Sequence, residues 1–200
     1  MAIGIGIGIS LDNGKGSVTT PTPIGNLITI TTTLTGDFII SLDGVGTCVI
    51  TWPDLTTSDV VMTGGGAVTT TKALVGGGTI TISNPAILTY IAPSNNEITD
   101  CDIPSTLVAL QYLILNNNQL TAFTAHAEWT ALLYLDLDVN ALDVTSINNI
   151  LINALASGIT TGTIDLTGGT NAAPTGAGIT AADALNTLGV TVTANGYTWP

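Results

Sequence analysis

Two aspartates occupy equivalent places in two predicted strands, and they are the residues best suited by type and spacing to chemistry. Asp136 is the middle residue of Leu135–Leu137, and Asp165 is the middle residue of Ile164–Leu166. In adjacent parallel strands their carboxylates would lie about 5 Å apart on one face, and Asp138 would follow on the same side. Such a pair could belong to a Ca²⁺ site, which needs six to eight oxygen ligands, or to a glycosidase. A solvated acidic face is the simpler interpretation.

Other reactive side chains do not form a catalytic pattern. His126 is the only histidine and has no nearby cysteine cluster, so we interpret it as a surface or packing residue. A Ser/His/Asp hydrolase would need a nucleophile motif such as G-x-S-x-G, which the sequence lacks. Cys48 and Cys101 are predicted to be free and buried, since an unpaired cysteine behaves as a small apolar residue. We therefore expect no enzyme activity, no metal and no cofactor.

A repeated phrase must position the aspartates. The pattern L-x-x-L-x-L-x-x-N-x-L, with some substitutions, begins at Leu88, Leu110 and Leu132, and the copies are 22 residues apart. A fixed period of this length predicts a solenoid in which each copy supplies one short parallel strand with inward leucines. The first copy has Pro93 at a leucine position, which predicts an irregular edge strand because proline donates no ladder hydrogen bond.

The asparagine of each phrase has a predicted structural role. Its amide can satisfy backbone groups that a turn leaves unpaired, so stacked copies would align these side chains into a ladder. The outer strand positions would instead offer a small concave recognition face. The predicted ladder is Asn96, Asn118 and Asn140, and the predicted recognition face is Ala92, Ile114, Asp136, Asp138 and Asp165.

After the third phrase the period lengthens and helices are expected. Apolar residues at helical spacing predict a helix over Thr145–Ser157, with Thr145 or Ser146 near its N-cap. A strand over Thr163–Leu166 follows, and the loop Gly168–Pro174 replaces the asparagine turn. The remaining predicted elements are a helix over Thr180–Leu188, a strand over Val190–Thr193 and a tail, Gly196–Pro200, whose two aromatic residues cap the last apolar layer.

Residues 26–83 predict a small antiparallel β-sandwich. Short alternating or β-branched runs are separated by turn clusters that include Gly64–Gly66 and Gly76–Gly78. Neither glycine triplet leads into a helix, so both are interpreted as hairpin turns instead of phosphate-binding loops. Trp52 is expected to anchor the core. The predicted strands are Leu27–Thr33, Phe38–Leu42, Thr47–Trp52, Val60–Met62, Ala67–Val75 and Thr79–Ser83.

Residues 1–25 predict an extended anchor and a linker. Four isoleucines alternate with glycines and would share one face of a strand. Such a strand is unstable alone in water and needs a sheet edge or groove. It could lie in the chain's own core, or it could dock into a partner. The anchor residues are Ile3, Ile5, Ile7 and Ile9.

Composition excludes several classes of partner. Only 8% of residues are charged, compared with about 25% in ordinary domains, and the net charge is −12 with two basic residues. Nucleic-acid binding requires clustered basic residues, so that class is excluded, and an anionic membrane surface is an equally poor partner. No apolar run is long enough for a transmembrane helix, and the N-terminus does not resemble a signal peptide because it lacks a basic segment.

The three phrases resemble those of leucine-rich repeat proteins, especially of bacterial surface proteins and bacteriophage virion proteins. Asn116–Thr121 matches their N-N-N-Q-L-T segment, and Gly168–Pro174 resembles their Gly-Gly-x-Asn-Ala-Ala-Pro loop. The resemblance implies a β-rich α/β fold, with a small sandwich at 26–83 before a leucine-rich-repeat solenoid at 84–200. It also implies recognition or structural work, without enzyme activity.

The expected function is that of a bacteriophage spike, head fibre or decoration protein. Its N-terminus would contact capsid or other virion proteins, and its repeat domain would contact a host-surface glycan or protein. A homo-oligomer is expected, and a trimer is plausible by analogy with other fibres. The alternative is a bacterial cell-surface or secreted adhesin, and a third possibility is a carbohydrate-active enzyme that uses Asp136 and Asp165.

Overall fold

The computed structural model describes residues 26–199, so the predicted anchor lies outside the described residues. These residues form eleven strands, two α-helices and a 3₁₀ turn over Pro85–Ile87, which confirms the predicted β-rich α/β class. The strands are β1 (Ile28–Thr32), β2 (Gly36–Thr51), β3 (Thr57–Thr63), β4 (Val68–Leu74), β5 (Gly78–Ser83), β6 (Leu88–Ala92), β7 (Ile98–Asp102), β8 (Tyr112–Ile114), β9 (Tyr134–Asp136), β10 (Gly162–Leu166) and β11 (Val190–Ala194). The helices are α1 (Val144–Ala156) and α2 (Ala177–Leu188).

The strands form one mixed sheet in which β2 joins two halves. The parallel half runs β6-β8-β9-β10-β11, and each of these strands pairs in parallel with the next. The antiparallel half contains β1, β3, β4, β5 and β7. Strand β2 pairs with β4 and β6 along its first part and with β3 and β5 along its second part.

The prediction of two separate strands, Phe38–Leu42 and Thr47–Trp52, is wrong. The segment is a single 16-residue strand, β2, with a register irregularity between Asp43 and Gly44. Gly44 is needed for close packing, because a Cβ atom there would lie 2.2 Å from the carbonyl oxygen of Ile87. A glycine inside a strand often marks a bulge or a close backbone approach instead of a turn.

The prediction that the first repeat strand is a sheet edge is also wrong. Strand β6 pairs with β2 on one side and with β8 on the other. Pro93 does not interrupt this pairing because β6 ends at Ala92, one residue earlier. The proline carbonyl has a structural use of its own, since it accepts a hydrogen bond from the Asn118 side chain at 3.2 Å.

Both helices begin earlier than the sequence pattern indicates. The N-cap of α1 is Asp143, not Thr145 or Ser146, and its carboxylate accepts a hydrogen bond from the Ser146 amide at 2.7 Å. That backbone hydrogen bond holds the pKa of Asp143 below its ordinary value. Helix α2 begins at Ala177 instead of Thr180.

One apolar core extends through both halves of the sheet. It includes Trp52, as predicted, and Trp129, each 1% exposed. Cys48 and Cys101 are buried and free, which confirms that prediction. In the C-terminal tail the expected aromatic cap is only half correct, since Tyr197 packs against the core whereas Trp199 is 55% exposed. Within residues 26–199, neither helix has the length and apolar character needed to cross a membrane.

Candidate functional site

Buried asparagines link the turns that follow successive strands of the parallel half. The side-chain oxygen of Asn118 accepts hydrogen bonds from the amides of Asn96 and Ile98, each at 3.0 Å. Its side-chain nitrogen donates to the carbonyls of Pro93 and Leu115 at 3.2 and 2.9 Å. One side chain therefore satisfies backbone groups of its own turn and of the preceding turn, which is the geometry expected of a ladder.

The neighbouring ladder residues make equivalent contacts. Asn140 accepts from the Leu120 amide and donates to the carbonyls of Leu115 and Leu137, all at 3.1 Å. Asn96 turns to the other half of the sheet and makes two hydrogen bonds with the backbone of Ile39, at 2.9 and 2.7 Å. The ladder thus connects the repeats to β2.

The ladder continues beyond the three predicted residues. Asn171, within the loop Gly168–Pro174, accepts from the Leu142 amide at 2.9 Å and donates to the carbonyls of Leu137 and Leu166 at 2.9 and 3.2 Å. Asn195 follows with hydrogen bonds to Gly168 and Asn171. The structure thus has the predicted longer loop at this point, but the prediction missed that Asn171 within it performs the task of the ladder asparagines.

The predicted aspartates meet on the face of the parallel half that is opposite the buried leucines. Asp136 and Asp165 are direct register partners in β9 and β10. One carboxylate oxygen from each of Asp136, Asp138 and Asp165 lies within 4.8 Å of the others. The Oδ1 atom of Asp165 accepts from the amide and hydroxyl of Thr167 at 3.0 and 2.7 Å. Three carboxylates supply only part of the six to eight oxygens that Ca²⁺ requires.

Burial and neighbouring charges oppose the ionisation of Asp136 and Asp138. Asp136 is 7% exposed, and burial is the main reason that its pKa is raised, with Asp138 and Asp165 adding repulsion. Burial and the Asp165 charge also raise the pKa of Asp138. The Oδ1 atoms of Asp138 and Asn116 are both buried without a hydrogen-bond partner among the described residues, and the Asn116 side chain acts against the rise in the pKa of Asp138. The acidic face therefore stores unfavourable electrostatic energy that a cationic partner would relieve.

A row of tyrosines, which the sequence analysis missed, lies beside the aspartates. Tyr90, Tyr112 and Tyr134 are register partners in β6, β8 and β9. Tyr112 is 38% exposed, its ring centroid is 6.0 Å from that of Tyr90, and the hydroxyl of Tyr134 donates to Asp136 at 3.4 Å. The missed signal was periodic, because a tyrosine stands two residues after the first leucine in all three phrases.

These residues form one continuous surface, the tyrosine–aspartate face, defined as Tyr90, Tyr112, Tyr134, Asp136, Asp138 and Asp165. Ile114, from the predicted recognition face, pairs in register with Asp136 and is half-buried, and Ala92 is half-buried at the end of β6. His126 lies elsewhere and packs edge-on against Trp129, with ring centroids 5.1 Å apart. The face therefore combines flat aromatic rings with carboxylates on a rigid sheet.

Similarity to known proteins does not identify a function for this chain. No protein-family model, curated protein or solved structure matches the chain. Evidence for a function therefore comes from the chemistry of the tyrosine–aspartate face itself.

Proposed function

We propose that this protein is a non-enzymatic surface component of a bacteriophage virion, acting as a spike, head fibre or decoration protein. In this proposal the N-terminal isoleucines attach to capsid or other virion proteins, and the rest of the chain presents a host-recognition surface. The charge-poor composition and the alternating Ile-Gly segment support this assignment. The alternative is a bacterial cell-surface or secreted adhesin, which would use the same recognition surface.

The proposal includes a finer description of the fold. Residues 84–200 would be a short leucine-rich-repeat solenoid, and residues 26–83 a small β-sandwich that supports it. The 22-residue period, the parallel pairing of β6, β8 and β9, and the asparagine ladder support the solenoid. The antiparallel pairing of β2 with β3 and of β1 with β5 supports the sandwich.

The tyrosine–aspartate face is the single observation that carries the recognition function. Tyrosine supplies a large, rigid and amphipathic contact area at low entropic cost, which explains its enrichment at recognition sites. The rings and carboxylates stand on strands whose turns are fixed by buried asparagines. A surface held in one geometry loses little conformational entropy when it binds a partner.

The same geometry favours binding over catalysis. Asp136, Asp138 and Asp165 lie on a sheet face beside the row of tyrosines, whereas a glycosidase needs two carboxylates on either side of an enclosed glycosidic bond. A depression of about 250 Å³ lies elsewhere, beside Pro53 and Ala73–Gly77. Its one carboxylate, Asp54, is bound by Lys72 at 2.8 Å and so has no catalytic partner.

The attachment part of the proposal is tested by deleting residues 1–20 and measuring incorporation into particles. We expect incorporation to be lost, and replacement of Ile3, Ile5, Ile7 and Ile9 by serine should have the same effect. Particles that incorporate the deleted chain normally would contradict the anchor. Capsid or tail genes on either side of the gene would favour the virion, whereas an export signal in the full reading frame would favour the adhesin.

The recognition part is tested by binding of the labelled chain to a panel of bacterial cells. Tyr112→Ser should abolish the binding that the parent shows, because it removes the central ring of the row. Val75→Ser is the matched control, since Val75 is fully exposed in the loop between β4 and β5, far along the chain from the face. These two strands do not pair with each other, so the predicted hairpin turn at Gly76–Gly78 is wrong. Equal binding by Tyr112→Ser and the parent would contradict a recognition role for this face.

A further inference from the structure

We propose that the tyrosine–aspartate face binds glycans that carry free, protonated amino groups. This inference rests on the proposed recognition function, because it names the chemical class of ligand for the same face. Two independent properties of the face lead to it, namely the row of aromatic rings and the sign of the charge beside them.

The aromatic row provides the apolar contact for sugar rings. Tyr90, Tyr112 and Tyr134 stand on adjacent strands, which repeat at about 4.8 Å across a sheet. The face of an aromatic ring is negative, so it attracts polarised C–H groups and, more strongly, ammonium groups. A repeating row of rings is suited to a polymer that presents the same ring at regular intervals.

The charge beside the row selects the kind of sugar. The carboxylates of Asp136, Asp138 and Asp165 converge within 4.8 Å, and Lys72, the only basic residue in the described part of the chain, is bound to Asp54 instead. A phosphate, sulfate or carboxylate sugar would be repelled by this group and by the net charge of −12. A protonated amine would neutralise it.

Charge complementarity also argues against a neutral glycan. A neutral sugar would cover the rings but would leave the three carboxylates repelling one another in a drier environment, where the repulsion is stronger. An ammonium group has three donors and no acceptor, so it can donate to more than one of these carboxylates. It therefore supplies the positive charge that no described lysine or arginine places at this face.

The test is calorimetric titration of the full chain at low salt with oligomers of β-1,4-linked glucosamine. Oligomers of N-acetylglucosamine with the same length are the matched ligand, because acetylation removes the charge and keeps the sugar backbone. We expect the glucosamine oligomer to bind at least about tenfold more tightly. Raising the salt concentration should weaken that binding, because exposed charges are screened.

Two variants locate the binding on the face. Tyr112→Ser and Asp165→Asn should each weaken binding of the glucosamine oligomer by about tenfold. Asn at position 165 keeps the oxygen that accepts from Thr167, so the fold is maintained. Asp59→Asn is the control, because it removes the same charge from an exposed position on β3.

Several outcomes would overturn the inference. One is that the acetylated oligomer binds the chain as tightly as the glucosamine oligomer does, and a second is that oligolysine does so. A third is that the glucosamine oligomer does not bind at all. The first would remove the charge requirement, and the second would remove the requirement for a sugar ring. If Tyr112→Ser also loses cell binding while glucosamine oligomers do not compete for it, the recognition function stands and only the ligand class is wrong.

Discussion

At the scale of single residues, one asparagine side chain per turn replaces the backbone pairing that a tight turn cannot make. The amide group has both a donor and an acceptor, so it satisfies an N–H of one turn and carbonyl groups of two turns. An ionised aspartate has no donor, and a serine or threonine hydroxyl has a single donor where the asparagine amide has two. The requirement for asparagine is therefore chemical as well as steric.

We expect Asn140→Ala and Asn171→Ala each to lower the free energy of unfolding by about 3 kcal/mol. Each change leaves several buried backbone groups without a partner, and each such group costs roughly 1–3 kcal/mol. Urea denaturation measures the effect. Asn149→Ala, at an exposed position of α1, is the control and should change stability by less than about 0.5 kcal/mol. A harmless Asn171→Ala would show that the long loop does not depend on its asparagine.

Removal of the Asp136 charge should raise the free energy of unfolding, in contrast to the asparagine substitutions, because this charge opposes folding. Its pKa is raised in the folded protein, chiefly by burial. Protonated Asp136 does not oppose folding, so as far as this residue is concerned the protein has its full stability below the unfolded-state pKa of about 3.9. Part of this stability is lost as the pH rises through the higher folded-state pKa and Asp136 becomes charged. Asp136→Asn removes the charge and retains the oxygen that accepts from the Asp138 amide.

We predict that Asp136→Asn is more stable than the parent at pH 7 and that the difference shrinks towards pH 3. Thermal denaturation across this pH range measures it, with Asp59→Asn as the exposed control. A variant that is less stable at pH 7 would show that the hydrogen bond from Tyr134 outweighs the cost of burying the Asp136 charge beside two other carboxylates.

At the scale of elements, the path of β2 depends on a close approach between two backbones. Gly44→Ala should destabilise the protein by about 1–3 kcal/mol, the usual cost of forcing extra volume into a packed site. Its Cβ atom would meet the carbonyl oxygen of Ile87 at 2.2 Å, and a backbone atom cannot move aside as the end of a side chain can.

Gly65→Ala is the matched control for the strand variant. A Cβ atom at Gly65 would have its nearest neighbour, the Thr63 hydroxyl, at an ordinary contact distance of 3.7 Å. Denaturation in urea should therefore show a large loss for Gly44→Ala and a small change for Gly65→Ala. Equal effects would mean that β2 and the turn at Ile87 can separate without cost.

The elements that could be predicted are those specified by local, repeated signals. The leucines and the 22-residue spacing indicated parallel strands, and the register between Asp136 and Asp165 followed from them. Asn171 was hidden because it lies 31 residues after Asn140, outside the regular period. The continuity of β2 could not be predicted, since the local sequence around Gly44 is that of a turn and the deciding contact with Ile87 is distant in the chain.

The tyrosine row illustrates a different limit. Its period was visible in the sequence, but a tyrosine next to an inward leucine is compatible with packing as well as with exposure. The structure distinguishes these outcomes, because it places Tyr112 at 38% exposure beside Tyr90 and on the same sheet face as the aspartates. Exposure depends on which face the helices cover, and that is a property of the assembled sheet.

At the scale of the whole molecule, the two halves are connected more closely than a linear array of modules would be. Strand β2 pairs with strands of both halves, and the Asn96 side chain binds the backbone of Ile39. Apolar packing is continuous from Trp52 to Trp129. In repeat proteins, coupling between neighbouring units determines whether the chain unfolds as one unit.

We therefore predict a single cooperative unfolding transition for residues 26–199. Trp52 and Trp129 are natural probes of the two halves, since each is 1% exposed. Two proteins are needed, one retaining only Trp52 and the other only Trp129, with the remaining tryptophans replaced by phenylalanine. In each protein the fluorescence and far-ultraviolet circular dichroism transitions in urea should coincide, because two-state unfolding gives the same curve for every probe.

Comparing the two signals within one protein removes the effect of the tryptophan replacements themselves, which destabilise the two proteins unequally. Asn171→Ala, added to the protein that retains Trp52, should then shift the Trp52 transition although the substitution lies at the far end of the sheet. Transitions that separate would contradict the coupling and would establish 26–83 and 84–200 as independent folding units. Coincident transitions would mean that the tyrosine–aspartate face unfolds only when the entire sheet unfolds.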